Sequence, residues 1–207
     1  MSRLLGALSQ RLDPRPRQPY MLVPELNVLF IRIPKAASNS VRRWFDDAGH
    51  RPQVMHNRPL PLFGSSRYVT VSFVRNPYTR IESAWRDKVV RGGHSLDGLG
   101  DGQPSFAEFV DRIADVDPAK VNPHVRPQTL LIGKANPDFL GRVERMQLDL
   151  EQLATHLGIR APNLTRGNST PSTASRSGVS DLTHAQLADL YAEDFTRFGY
   201  SQDVRAG

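Results

Sequence analysis

The feature that most constrains this chain is an arrangement that occurs twice: an uninterrupted β-branched run, a short turn, then an amphipathic stretch. The first copy is "NVLFIRI" (27–33) followed by "PKAASNSVRRWF", and the second is "YVTVSFV" (68–74) followed by "RNPYTRIESAWRDKVV". A strand that is apolar at consecutive positions has no face left for water, so it belongs inside a covered sheet. Such sheets are typically parallel, because the crossover helices do the covering. The expectation is therefore a layered α/β fold whose ligands bind at the carboxyl ends of the strands.

The remaining segments fit that plan. The first helix is expected to start at Ser38 or Asn39, both good N-caps, and the second at Pro77, a residue favoured in the first helical position. "SFAEFVDRIADV" (105–116) opens with Ser105 and Glu108 in capping-box spacing. "DFLGRVERM" reads as a third strand ahead of the helix "LDLEQLATHLGI". "SDLTHAQLADLYAEDFTRFGY" reads as one final helix, with Leu187, Leu190, Tyr191 and Phe195 on its apolar face. Between these, "RGGHSLDGLGDGQ" is a glycine-rich surface loop, "NPHVRPQTLLIG" is broken by prolines and "RAPNLTRGNSTPSTASRSG" is a polar tract. A length of 207 residues supports one sizeable core rather than two. The expected organisation is a partly flexible lead-in over 1–26, a single domain over 27–200 and a tail over 201–207.

Composition removes several functions. With no cysteine, thiolate metal sites, cysteine nucleophiles and disulfides are excluded. No carboxylate cluster has metal-ligand character, so no metal is expected. A formal charge of +6 favours an anionic partner without choosing among nucleotides, acidic glycans, nucleic acid and a membrane surface. The apolar part of "MSRLLGALSQRLDPRPRQP" is too short for a signal-peptide core or a membrane span. A soluble, cytoplasmic protein is the expectation, with a peripheral membrane contact through Leu4, Leu5 and Leu8 as the secondary one.

Chemistry concentrates in the two turns. A strand that ends in small residues and opens a helix offers unpaired N–H groups and a positive dipole end to an anion. Lys35 adds a full charge there, and Ser38, Asn39 and Ser40 add donors. The turn is not a Walker loop, whose lysine follows spaced glycines; here the lysine comes first and the next glycine is Gly49. In the second turn Arg75 lies just past the strand and Ser83 falls inside the helix. Taken singly, Lys35 and Arg75 suit the role of solvated cations and Ser83 that of a small packing residue. Two such turns on one sheet edge suit a ligand with two separated anionic groups.

At these residues the chain resembles the carbohydrate sulfotransferases of the Golgi-type and bacterial kind, sulfotransferase family 2. "FIRIPKAASNSVRRWF" is similar to that family's phosphosulfate turn, and "FVRNPYTRIESAWRDK" to its 3′-phosphate element. The likeness continues through "HVRPQ", "GRVERMQLDLEQLATHLGI" and "YAEDFTRFGY". The resemblance implies a P-loop NTPase-like three-layer sandwich, with a central parallel sheet flanked by helices. It implies an enzyme that moves the sulfuryl group of 3′-phosphoadenosine 5′-phosphosulfate (PAPS) to a hydroxyl, with 3′,5′-ADP as the product and a carbohydrate or glycoconjugate as the acceptor. By the same analogy Lys35, the backbone from Ala36 and Ala37 to Ser38, Asn39 and Ser40, and the serine hydroxyls hold the 5′-phosphosulfate. Arg75 and Ser83 hold the 3′-phosphate, and Arg166 of a late basic loop covers the nucleotide.

A hydroxyl acceptor needs a general base, and histidine is the side chain best poised near neutral pH. His56, between the first helix and the second strand, is the first choice by family analogy, and His124 of "HVRPQ" is the second; His94, Glu82 and Asp87 are further candidates. Arg80, Arg86, Lys88 and Arg126 are read as a basic rim for an acidic acceptor. A P-loop-like kinase or NTPase is the competing enzyme reading, disfavoured by the missing Walker glycines. A polyanion-binding module ranks last because no aromatics interleave the basic residues, and nucleic acid is not expected as a partner. The length and missing anchor point to a bacterial cytosolic enzyme; oligomeric state is left open.

Overall fold

The computed structural model describes residues 19–55, 68–92, 99–100, 102–134, 136–162 and 180–203. His56, His94, Arg166, Leu4, Leu5 and Leu8 lie outside the described residues. The elements are β1 (Tyr20–Val23), β2 (Val28–Ile31), α1 (Ser38–Asp47), β3 (Gln53–Met55), β4 (Val69–Val74), α2 (Pro77–Trp85), α3 (Phe106–Ala114), α4 (Gln128–Ile132), β5 (Phe139–Arg142), α5 (Met146–Leu157), α6 (Asp181–Leu190) and α7 (Ala192–Phe198).

The sheet has five strands in the order β3-β1-β2-β4-β5. The two strands read from the apolar runs are adjacent and parallel, with Phe30 opposite Val71, and β5 continues the parallel ladder on the far side of β4. The fold is α/β, but the sheet is mixed rather than wholly parallel. β1 runs antiparallel to both β2 and β3, so residues 20–23, placed by sequence in the lead-in, are part of the sheet. β1 is a four-residue run between Pro19 and Pro24, too short to carry a periodicity of its own; hydrogen bonding to β2 makes it a strand.

Period-two alternation then assigns the faces. Met21, Val23, Val28, Phe30, Val71 and Phe73 share one face, packed against Val41, Trp44 and Phe45 of α1 and Leu150, Leu153 and Ala154 of α5. Leu29, Ile31 and Tyr20 form a smaller cluster apart from this one. At the carboxyl end of the sheet Ile33, Ala36 and Val74 pack with Leu131 and Ile132 of α4 and Phe198 of α7. Beyond them α2, α3 and α6 build a helical cluster around Ile81, Phe109, Val110, Leu187 and Tyr191. The sheet's carboxyl edge is thereby enclosed by helical structure that carries most of the titratable residues of interest.

Three helix ends differ from expectation. α1 is capped by neither Ser38 nor Asn39: its N-cap is Ala37, in the left-handed region at φ 60°, with no side-chain cap. Pro77 does open α2, with the Asn76 side chain accepting from the Tyr78 amide, but the helix widens into a π-helical turn over Arg86–Val90. The expected last helix is broken at Tyr191 (φ −116°, ψ 24°) into α6 and α7. Two buried anchors flank the break: the Tyr191 hydroxyl donates to Val125 O at 2.6 Å, and Asp194 accepts from α4.

Candidate active site

The lysine turn is built by backbone geometry that its sequence does not advertise. Lys35 (φ 67°) and Ala37 (φ 60°) are both left-handed without being glycine. That conformation costs on the order of 1 kcal/mol per residue and tends to mark functional turns. Ala36 between them is fully buried, and its N–H donates to Ile33 O. The Ser38 hydroxyl also donates to Ile33 O, at 2.9 Å, which accounts for Ser38 not capping the helix. The first backbone bond of α1 runs from Val41 N to Ala37 O. The N–H groups of Ala37, Ser38, Asn39 and Ser40 therefore have no acceptor among the described residues, and they sit where the helix dipole is positive. Ala36, one of the residues expected to hold the phosphosulfate, has its amide bonded to Ile33 O and its methyl in the core.

Arg75 stands beside this turn. Its Nη1 approaches Lys35 O at 3.4 Å and its Nε donates to Thr79 Oγ1 at 3.1 Å. Burial holds the guanidinium below its ordinary pKa, against the opposing pull of Glu144 and Glu82. The peptide of Arg75 is clamped from both sides by one side chain: Arg75 N donates to Gln128 Oε1 at 3.0 Å, and Gln128 Nε2 donates to Arg75 O at 2.9 Å. Gln128 is in turn fixed by the buried Asp194, whose carboxylate accepts from the backbone N–H of Gln128 and of Thr129, each at 2.8 Å. Glu144 holds the next residue, accepting from Asn76 N at 2.7 Å and from the Tyr200 hydroxyl at 2.9 Å. Ser83 is half-buried on α2, and its hydroxyl has no partner among the described residues.

A third group meets the lysine from the π-helical turn. Lys35 Nζ pairs with Asp87 Oδ2 at 3.0 Å. Burial pushes the Asp87 carboxyl up, but the Lys35 hydrogen bond and charge, with Lys88 and His124, outweigh it and hold the group below its ordinary value. His124 is close enough to this cluster that, after burial, the charges of Lys88 and Lys35 are the main influences lowering its pKa to about 4. Its tautomer follows from geometry. Asn122 Oδ1 accepts the His124 backbone N–H at 3.0 Å, so that atom is oxygen, and it lies 2.9 Å from His124 Nδ1. Nδ1 must then carry the proton, which leaves Nε2 as the ring's acceptor.

The structure thus brings Lys35, Arg75, Asp87, Lys88 and His124 together at the carboxyl ends of β2 and β4. It does not support the whole expected rim. Arg80 is fully buried, Arg86 pairs with Glu82 at 2.6 Å, and Arg126 donates to Val121 O from Nε and Nη2. Gln128, Asp194 and Glu144 carry no role in the sequence reading, although all three lie in stretches that contribute to the family likeness. Among the described residues no group of histidines and carboxylates could hold a metal ion. No described helix is long and apolar enough to cross a membrane.

The model of the sulfotransferase family matches residues 18–201, nearly the whole chain and including β1. The chain belongs to the sulfotransferase family and is, by that membership, a sulfuryl-transferring enzyme. No curated protein and no solved structure matches it.

Proposed function

We propose that this enzyme takes the sulfuryl group from PAPS and transfers it by in-line displacement to a hydroxyl of a carbohydrate or glycoconjugate. On this reading the sheet is a P-loop-like sandwich in which the turn after β2 receives the phosphosulfate. Lys35 and the N–H groups of Ala37 to Ser40 face the bridging oxygen and the 5′-phosphate, where negative charge grows as the sulfur–oxygen bond breaks. Arg75 and Ser83 hold the 3′-phosphate. The acceptor oxygen bonds to sulfur as its proton passes to Nε2 of His124, and 3′,5′-ADP departs. His124 is neutral at pH 7, as a base must be, and His56 is the alternative from outside the described residues.

One observation carries the reading: Arg75 Nη1 touches Lys35 O, so the two turns are neighbours, and one nucleotide with two anionic ends can engage both. The test is thermal melting with 3′,5′-ADP in the absence of Mg²⁺, which should raise Tm. Stabilisation only by ATP with Mg²⁺ would point to a kinase instead. Lys35→Ala should melt like wild type yet slow release of 3′,5′-ADP from PAPS, assayed with a carbohydrate panel, by about a hundredfold or more. Wild-type turnover in that variant removes Lys35 from the chemistry.

A further inference from the structure

Arg80 is the one arginine that is 0 % exposed among the described residues. Its Nε donates to Pro34 O at 3.1 Å and its Nη2 to Pro123 O at 3.2 Å, while Nη1 is buried without a partner. The guanidinium meets no carboxylate at ion-pair distance among the described residues. A buried cation with an unsatisfied donor is costly, and apolar residues of similar volume commonly do as well or better for stability alone. What an apolar residue cannot do is hold two carbonyls at a fixed spacing, which a planar guanidinium does and a lysine ammonium does not. The two carbonyls belong to the residues immediately before Lys35 and before His124.

We propose that Arg80 is a positioning residue that sets the distance between Lys35 and His124 by gripping the backbone of each residue's predecessor. The proposal rests on the roles in sulfuryl transfer proposed for Lys35 and His124. Arg75 lies two residues before α2 and Arg80 lies on it, so one short stretch of chain carries both the Arg75 contact to Lys35 O and the clamp between the lysine turn and the histidine loop. Sulfuryl transfer needs the leaving oxygen and the base on opposite sides of sulfur, and displacement of about 1 Å can cost about a hundredfold in rate.

The experiment compares Arg80→Lys and Arg80→Met with wild type in two measurements. Imidazole ¹⁵N NMR titration of His124 without nucleotide reads the clamp directly. The groups acting on this ring are Lys35, Asp87, Lys88 and Arg80 itself. Arg80→Lys keeps the charge but loses the bridge, so the loop should loosen and the His124 proton affinity should rise at least about tenfold toward that of a solvated histidine. Arg80→Met, which also loses the charge, should show a rise at least as large. The second measurement is 3′,5′-ADP binding, expected to stay within about threefold of wild type while release of 3′,5′-ADP from PAPS falls about a hundredfold. An unchanged His124 titration in folded Arg80→Lys overturns the proposal, and so does failure of both variants to melt cooperatively, because Arg80 would then serve the core. Failure of wild type to bind 3′,5′-ADP overturns the donor assignment instead and leaves the His124 titration to judge Arg80.

Discussion

His124 shows how one residue's surroundings set its chemistry. Burial and two ammonium groups make the imidazolium unfavourable, so the folded-state pKa of about 4 lies below the ordinary value of 6.5. A depressed pKa in the native state means that the unfolded chain binds the proton more readily. Above about pH 6.5 the ring is neutral in both states and costs nothing, and as pH falls toward 4 the unfolded chain binds a proton that the folded state disfavours, so stability is lost. Melting temperature should therefore drop through that window in wild type and less steeply in His124→Gln; parallel curves would show that His124 is not the titrating group. With His124 as the proposed base, the acid limb of kcat/KM should fall below pH 6, since the ring is already unprotonated there. Sequence offers the histidine of "HVRPQ" as a candidate base, second to His56. It does not indicate the Asn122 contact that leaves Nε2 free, because that depends on a loop conformation with no periodic signature.

At the scale of elements, β5 is held against β4 by a close approach. A Cβ on Gly141 would stand 2.6 Å from Phe73 Cζ and 2.8 Å from Cδ1, and that ring lies between Phe30 and Phe139 with centroids 6.5 Å and 6.2 Å away. Gly141→Ala should therefore cost about 1–3 kcal/mol, read as a lower urea midpoint with the same m-value. A neutral substitution would mean that the ring has room to move. The two long apolar strands are legible in the sequence because a short, continuous β-branched run suits a strand covered on both faces and little else, and the capping box at Ser105 is confirmed in both directions. β1 and β3 are not legible, because neither lies in a continuous apolar run as long as the 27–33 and 68–74 stretches and both draw their order from neighbours. The break at Tyr191 escapes notice for a related reason: its apolar face is continuous through the break, so periodicity alone extends the helix.

Across the whole molecule, residues far apart in sequence converge behind Arg75. Asp194 near the C-terminus, Gln128 in the middle and Arg75 after β4 form one chain of hydrogen bonds. Asp194→Asn would turn an amide toward N–H donors and should cost about 2–4 kcal/mol, with weaker binding of 3′,5′-ADP because Arg75 loses its clamp. Calorimetry on the folded variant measures both, and unchanged binding would confine Asp194 to stability. A formal charge of +6 suggests a bare cationic mouth awaiting an anion. The contact between Lys35 and Asp87 implies otherwise. The lysine already has a counterion of its own, so on the proposed reading an arriving phosphosulfate swaps one anion for another. Capture should accordingly respond less to added salt than the total charge would suggest.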